Sequence, residues 1–163
     1  MIDPKAVRRH ILRMALAGNC GHIGPSFSLV EILVALDEIM RPEDTLILSK
    51  GHGVMAQYAI QYERGELTDR DLDNYLQDGT KLRSASNPGG ALGHGLSVAV
   101  GIALAKKRRK DRGRTYCIVG DGELNEGACW EAIMTAAQWK LDGLFVLVDE
   151  NGYQAMDRTT NII

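Results

Sequence analysis

The chain has 163 residues, 45% of them hydrophobic and 25% charged, with a net charge of −2. That is length enough for one domain with a real core, and the charge balance excludes a general attraction to nucleic acid or to anionic membranes. No run of about 18 apolar residues exists to span a bilayer, and the N-terminal MIDPKAVRRHIL lacks the apolar centre of a signal peptide, so the expectation is a mature cytoplasmic protein.

In chain order, Asp3-Pro4 reads as an N-cap with proline at the first helical position. Val7, Ile11, Leu12, Ala15 and Leu16 then mark one apolar face, and Gly18 ends that helix. The stretch Asn19 to Pro25 is glycine-punctuated loop. Ser28 with Glu31 has the spacing of a capping box, which opens an amphipathic helix that stops before Pro42. Thr45 to Ser49 reads as a short strand. Val54 to Glu63 reads as a helix ended by Gly65, and Thr68 caps another over DRDLDNYL. Gln77 to Gly93 is loop chemistry, and a helix follows from His94, with Lys106 to Lys110 as its solvated basic end. Cys20, Cys117 and Cys129 are far apart and in no CxxC spacing, so they read as reduced, semi-buried thiols.

The most informative stretch comes last. Thr115 to Val119 is β-rich and breaks at Gly120-Asp121-Gly122; a helix-length segment runs to about Lys140, and the apolar run Leu144 to Val148 leads to Asn151. This strand–turn–helix–strand unit carries an oxygen ligand after each strand. Mg²⁺ prefers six oxygens and takes only a few from protein, leaving the rest to phosphate and water. Asp121 offers an anionic oxygen, Asn151 an amide oxygen and Tyr153 a backbone carbonyl. Gly120 and Gly122 let phosphate approach the main chain, and the N-terminus of the following helix would face the same anion. An ordinary turn with a capping Asp is the competing reading. The 28 residues between Gly122 and Asn151, enough for one crossover, weigh against it.

GDG followed at this distance by Asn resembles the thiamine-diphosphate motif, and GDGELNEGACWEAIMTAAQWKLDGL is similar to the diphosphate-binding module of transketolases, especially split ones with separate N- and C-terminal subunits. The resemblance covers nearly the whole chain. It implies an α/β fold, a parallel sheet flanked by helices, with residues 1–163 as a single diphosphate- and metal-binding module. It implies thiamine diphosphate and Mg²⁺ as cofactors, with Asp121, Asn151 and Tyr153 on the metal and Gly120, Asp121, Gly122, Glu123 and Asn151 around the cofactor. GHIGPSFSLVEIL is similar to a segment whose His, here His22, reaches the reacting carbon. SKGHG is similar to one whose His, here His52, meets the diphosphate and lines the active-site funnel. Gly90, Ala91 and Leu92 correspond to the grip on the aminopyrimidine ring. His94 stands where relatives carry Gln or His, with helix capping as its equal alternative. Glu126 matches an acid that couples two active sites across an interface, or else serves as a first-turn Glu favoured by the helix dipole.

The resemblance further implies catalysis only with a partner, a C-terminal pyrimidine-binding subunit, in a heterotetramer, because the glutamate that activates the cofactor belongs to that module. Transfer of a two-carbon ketol or acyl unit from a ketose or 2-oxo acid is the expected reaction. Decarboxylation of a 2-oxo acid with acyl transfer, or a non-catalytic assembly role, are the alternatives. Two departures stand out. The loop before Gly90 is short and lacks the family's His-Pro pair that contacts the donor's hydroxyl groups, and related modules continue beyond the equivalent of Ile163. A sheet of about three strands would leave an open edge for something else to cover.

Overall fold

The computed structural model describes residues 1–77, 82 and 91–162. Among them are eight α-helices and three strands, packed as two compact units, Met1–Met40 with His52–Ala85 and Arg41–Gly51 with Ser86–Ile163.

The first unit is helical: α1 (Pro4–Ala17), α2 (Ile23–Phe27), α3 (Val30–Ile39), α4 (Val54–Glu63) and α5 (Asp69–Asp73). α1 is its centre, packing on each of the other four and burying Val7, Ile11 and Met14. Asp3 caps it, accepting from the Lys5 amide at 2.9 Å, and Gly18 closes it. Thr68 and Asp71 form a reciprocal capping box on α5. The box expected from Ser28 and Glu31 does not form. Residues 23–27 are already helical, and Ser28 and Leu29 have helical backbone angles instead of the extended N-cap conformation. Ser28 donates back to the Pro25 carbonyl at 3.2 Å. Ion pairs tie the helices across their surfaces: Arg13 to Asp69 and Asp73, Arg64 to Asp37, Arg8 to Glu31.

The second unit holds the sheet, β1 (Thr45–Leu48), β2 (Thr115–Gly120) and β3 (Leu144–Asp149), together with α6 (His94–Arg109), α7 (Gly127–Gln138) and the short α8 (Thr159–Ile162). All pairings are parallel, in the order β1-β2-β3. An unbroken apolar strand is what a parallel sheet centre demands, and Thr115 to Val119 is buried throughout. Leu96, Ala99, Val100 and Ala103 of α6 pack with Ile47, Cys117 and Val119 of the sheet and Cys129 and Ala132 of α7. β3 is a terminal strand of the described sheet, and its Phe145, Val146 and Val148 are exposed.

One expectation changes here. The crossover is not one helix from Gly122; a 3-10 turn over Gly122–Asn125 comes first, and Glu126 is extended before α7 begins. Trp130 and Trp139 are 56% and 47% exposed; Trp130 donates to the Leu124 carbonyl and Arg108 lies over Trp139. The basic run is the solvated helix end expected, with Lys107 to Lys110 exposed, and two of its lysines also reach carbonyls. Lys106 donates to the carbonyls of Glu43 and Arg114 and to Thr45, and Lys107 to the carbonyls of Trp139 and Lys140.

Candidate functional site

Within the second unit, the carboxyl ends of β2 and β3 lie side by side, the position at which open parallel sheets bind ligands. The Asp121 amide donates to the Asp149 carbonyl at 3.2 Å. Asp121 Oδ2 accepts from the Gly152 amide at 2.7 Å, and Gly152 stands between the other two candidate metal ligands, Asn151 and Tyr153. Asn151 Oδ1 accepts from the Tyr153 amide at 2.8 Å, a local turn that leaves its second lone pair available. Gly152 has φ +74, the left-handed conformation in which glycine costs least. The turn after β2 and the loop after β3 therefore form one structure.

Gly122 is required by close approach: a Cβ there would lie 2.6 Å from Gln154 Cβ. Gln154 itself buries an amide nitrogen, Nε2, with no hydrogen-bond partner among the described residues. A buried donor without an acceptor is costly, and it suits a site meant to receive an oxygen-rich group. The donor set consists of oxygens, and no group of three or more His, Cys, Asp or Glu side chains that could hold a metal occurs among the described residues. That composition fits a hard cation sharing its shell with phosphate, not zinc. The helix N-terminus expected directly after Gly122 is absent, because the 3-10 turn takes its place.

Glu123, placed by the sequence among the cofactor-binding residues, points inwards. It is 3% exposed and accepts from the Gly93 amide at 2.8 Å, the Gly120 amide at 3.1 Å and the Ser49 hydroxyl. Beside it Lys50, 2% exposed, pairs with Asp149. Sequence reasoning passed over Ser49, Lys50 and Asp149; the available signal was a polar or charged residue placed at the end of an apolar strand. Cys117 is pushed up to about 12 and Cys129 to about 11, by burial first and by the charge of Glu123 second, so both thiols stay protonated at neutral pH.

His94 is the exposed first residue of α6; the preceding Gly93 is its N-cap, and no side chain caps the helix. The capping alternative for His94 is therefore not what the structure contains. Glu126 is exposed at the N-cap of α7 and makes no side-chain cap bond there. Leu92 is partly exposed, whereas Gly90 lies outside the described residues. A groove of about 310 Å³ beside β3 is lined by apolar residues such as Ile133, Ala136 and Val146 and is unsuited to a diphosphate.

In the first unit the structure brings His22 and His52 together, with ring centroids 6.0 Å apart and both side chains exposed. His22 is held at φ 61 at the head of α2, an uncommon conformation for a residue with a Cβ, and its carbonyl accepts from Ser26 at 3.1 Å.

Residues 18–163 match the family described as the thiamine diphosphate binding domain of transketolase. The chain belongs to this family. It is 40% identical to one of the subunits of apulose-4-phosphate transketolase from Actinobacillus succinogenes, over 98% of this chain and 65% of that protein. It is 38% identical to a 6-deoxy-6-sulfo-D-fructose transketolase subunit of a Clostridium species, over 87% of this chain and 58% of that one. The chain thus spans about three-fifths of the length of these curated relatives. Among solved structures, Pichia stipitis transketolase in complex with sedoheptulose-7-phosphate superimposes with a TM-score of 0.88 at 28% identity, covering 98% of this chain and 28% of that one. Leishmania mexicana transketolase gives 0.85 at 28% identity, covering 100% of this chain and 29% of that one. The parallel sheet flanked by helices is thus a transketolase fold, and the domain is of the thiamine-diphosphate-binding kind. No helix among the described residues is long and apolar enough to cross a membrane.

Proposed function

We propose that this chain is the diphosphate-binding component of a two-component transketolase, active with a separate pyrimidine-binding subunit. The observation that carries the proposal is the hydrogen bond from Gly152 to Asp121, which sets the one anionic candidate ligand against the loop holding Asn151 and Tyr153. Asp121, the Asn151 amide oxygen and the Tyr153 carbonyl would hold Mg²⁺, and through it the diphosphate. Gln154 Nε2 is a donor available to the same group.

Thiamine diphosphate, when bound, supplies the stabilised carbanion that accepts and passes on a two-carbon unit. The chain's own residues bind and orient. His22 and His52, adjacent and exposed, donate hydrogen bonds or protons where negative charge develops on the substrate oxygen. Leu92 belongs to the pyrimidine side, His94 to the catalytic candidates, and Glu126 to the contact with the partner. Two relatives are named for ketoses carrying phosphate or sulfonate, and a ketose with an anionic terminus is the proposed donor class. Their designation as transketolase subunits supports a split enzyme.

Calorimetric titration of thiamine diphosphate with Mg²⁺ into the chain, with and without a pyrimidine-binding partner, tests this reading. Product analysis with a phosphorylated ketose, hydroxypyruvate and pyruvate completes it. The expected result is binding strengthened by the partner and ketol transfer from the ketose. Carbon dioxide released from pyruvate with no ketol transfer would replace the reaction, and no binding under either condition would replace the enzyme with an assembly role.

A further inference from the structure

We propose that Glu123 is a positioning residue whose buried carboxylate sets the shape of the cofactor seat before any cofactor arrives; this rests on the thiamine-diphosphate reading above. The three donors it gathers come from distant segments. Ser49 follows β1, Gly93 precedes α6, and Gly120 ends β2. Gly93 adjoins Leu92, the candidate for the pyrimidine side, and His94, a catalytic candidate, and Gly120 adjoins Asp121, the candidate metal ligand. One side chain therefore fixes the spacing between two halves of the proposed seat.

The geometry explains why an acidic side chain is used here. Only a carboxylate presents acceptors alone, and three convergent donors match its lone pairs. A buried charge adds little net stability over a well-packed apolar side chain, so its value lies in specifying geometry. The approach is already tight at Gly93, where a Cβ would lie 3.0 Å from Glu126 Cβ, and φ is +82. Gly93 has little room for a side chain, and the carboxylate holds its amide.

Glu123→Gln keeps the size but turns an amide N–H₂ towards one of the three donors. In the full chain with Mg²⁺ and the partner, the variant weakens thiamine diphosphate binding by about ten- to a hundredfold. In the cofactor-free chain it strips hydrogen-exchange protection from whichever of the Gly93 and Gly120 amides, held by different oxygens of Glu123, the new N–H₂ faces, while the Ile118 amide in mid-β2 stays protected. Ser49→Ala removes one donor and gives a smaller loss in the same direction. A folded Glu123→Gln that binds within about twofold of wild type would overturn the proposal, since a purely structural acid would alter melting but not affinity. If Glu123→Gln does not fold, Ser49→Ala decides by the same affinity measurement, and an unchanged affinity overturns the proposal. If the wild type itself fails to bind thiamine diphosphate, the cofactor reading falls. The exchange measurement then judges the clamp alone, and unchanged Gly93 and Gly120 protection in Glu123→Gln overturns it.

Discussion

The two units use charge in opposite ways. In the helical unit, Arg13 reaches Asp69 and Asp73 across the surface, with 31% of the Arg13 side chain and over half of each acid exposed. In the sheet unit, Glu123, Lys50 and Asp149 are all nearly sealed from water. Exposed pairs are screened and contribute little, whereas buried charges are expensive unless every donor is placed. That the costly arrangement gathers at the carboxyl ends of the strands, beside Asp121, teaches where the fold gives up stability for fixed geometry. The helical unit, by contrast, relies on α1 burying Val7, Ile11 and Met14, with its ion pairs as fastenings.

The contrast breaks first at Lys50. Lys50→Met leaves the Asp149 carboxylate buried without this cation and is expected to destabilise the protein by about 3–5 kcal/mol, measured by urea unfolding. The double variant Lys50→Met, Asp149→Leu should recover most of that loss, because the uncompensated charge is gone. Equal losses in the single and double variants would show that packing, not charge, is what matters there.

A smaller effect is expected at Gly95. A Cβ at this position would lie 2.6 Å from Ser49 Cα, so α6 and the end of β1 must separate. Gly95→Ala should cost about 1–3 kcal/mol by overpacking, read as a lowered denaturation midpoint. An unchanged midpoint would mean that this end of the sheet unit yields freely, against the idea of a preset seat.

The smallest effect belongs to the helical unit and depends on pH. Hydrogen bonds from Arg13, chiefly, hold Asp69 and Asp73 below the usual carboxylate range. The folded state therefore binds these protons less tightly than the unfolded chain. The resulting stability is complete above the unfolded carboxylate pKa of about 4 and is lost as the pH falls through the lower folded values. Arg13→Met should lower the melting temperature slightly at neutral pH, and the gap from wild type should close in acid. A gap that persists in acid would assign Arg13 a packing role.

Much of this was legible in the sequence wherever the signal was local. The unbroken run Thr115 to Val119 announced a central parallel strand, Asp3-Pro4 and Thr68 announced helix starts, and GDG with Asn151 announced the two loops that the structure joins. Ser28 and Glu31 misled because the backbone before them is already helical, which no spacing rule registers. The clamp stayed hidden for another reason: Ser49 and Glu123 are 74 residues apart, and Lys50 and Asp149 are 99 apart. Such pairs exist only once parallel strands have brought their ends into register.

The most direct measurement replaces Mg²⁺ by Mn²⁺ and records electron–nuclear double resonance on the chain with thiamine diphosphate and its partner. Phosphorus hyperfine coupling to the metal is the predicted result, lost together with metal binding in Asp121→Ala. A metal that binds equally well in Asp121→Ala, or that shows no phosphorus within coupling distance, would contradict a diphosphate seat built on this aspartate.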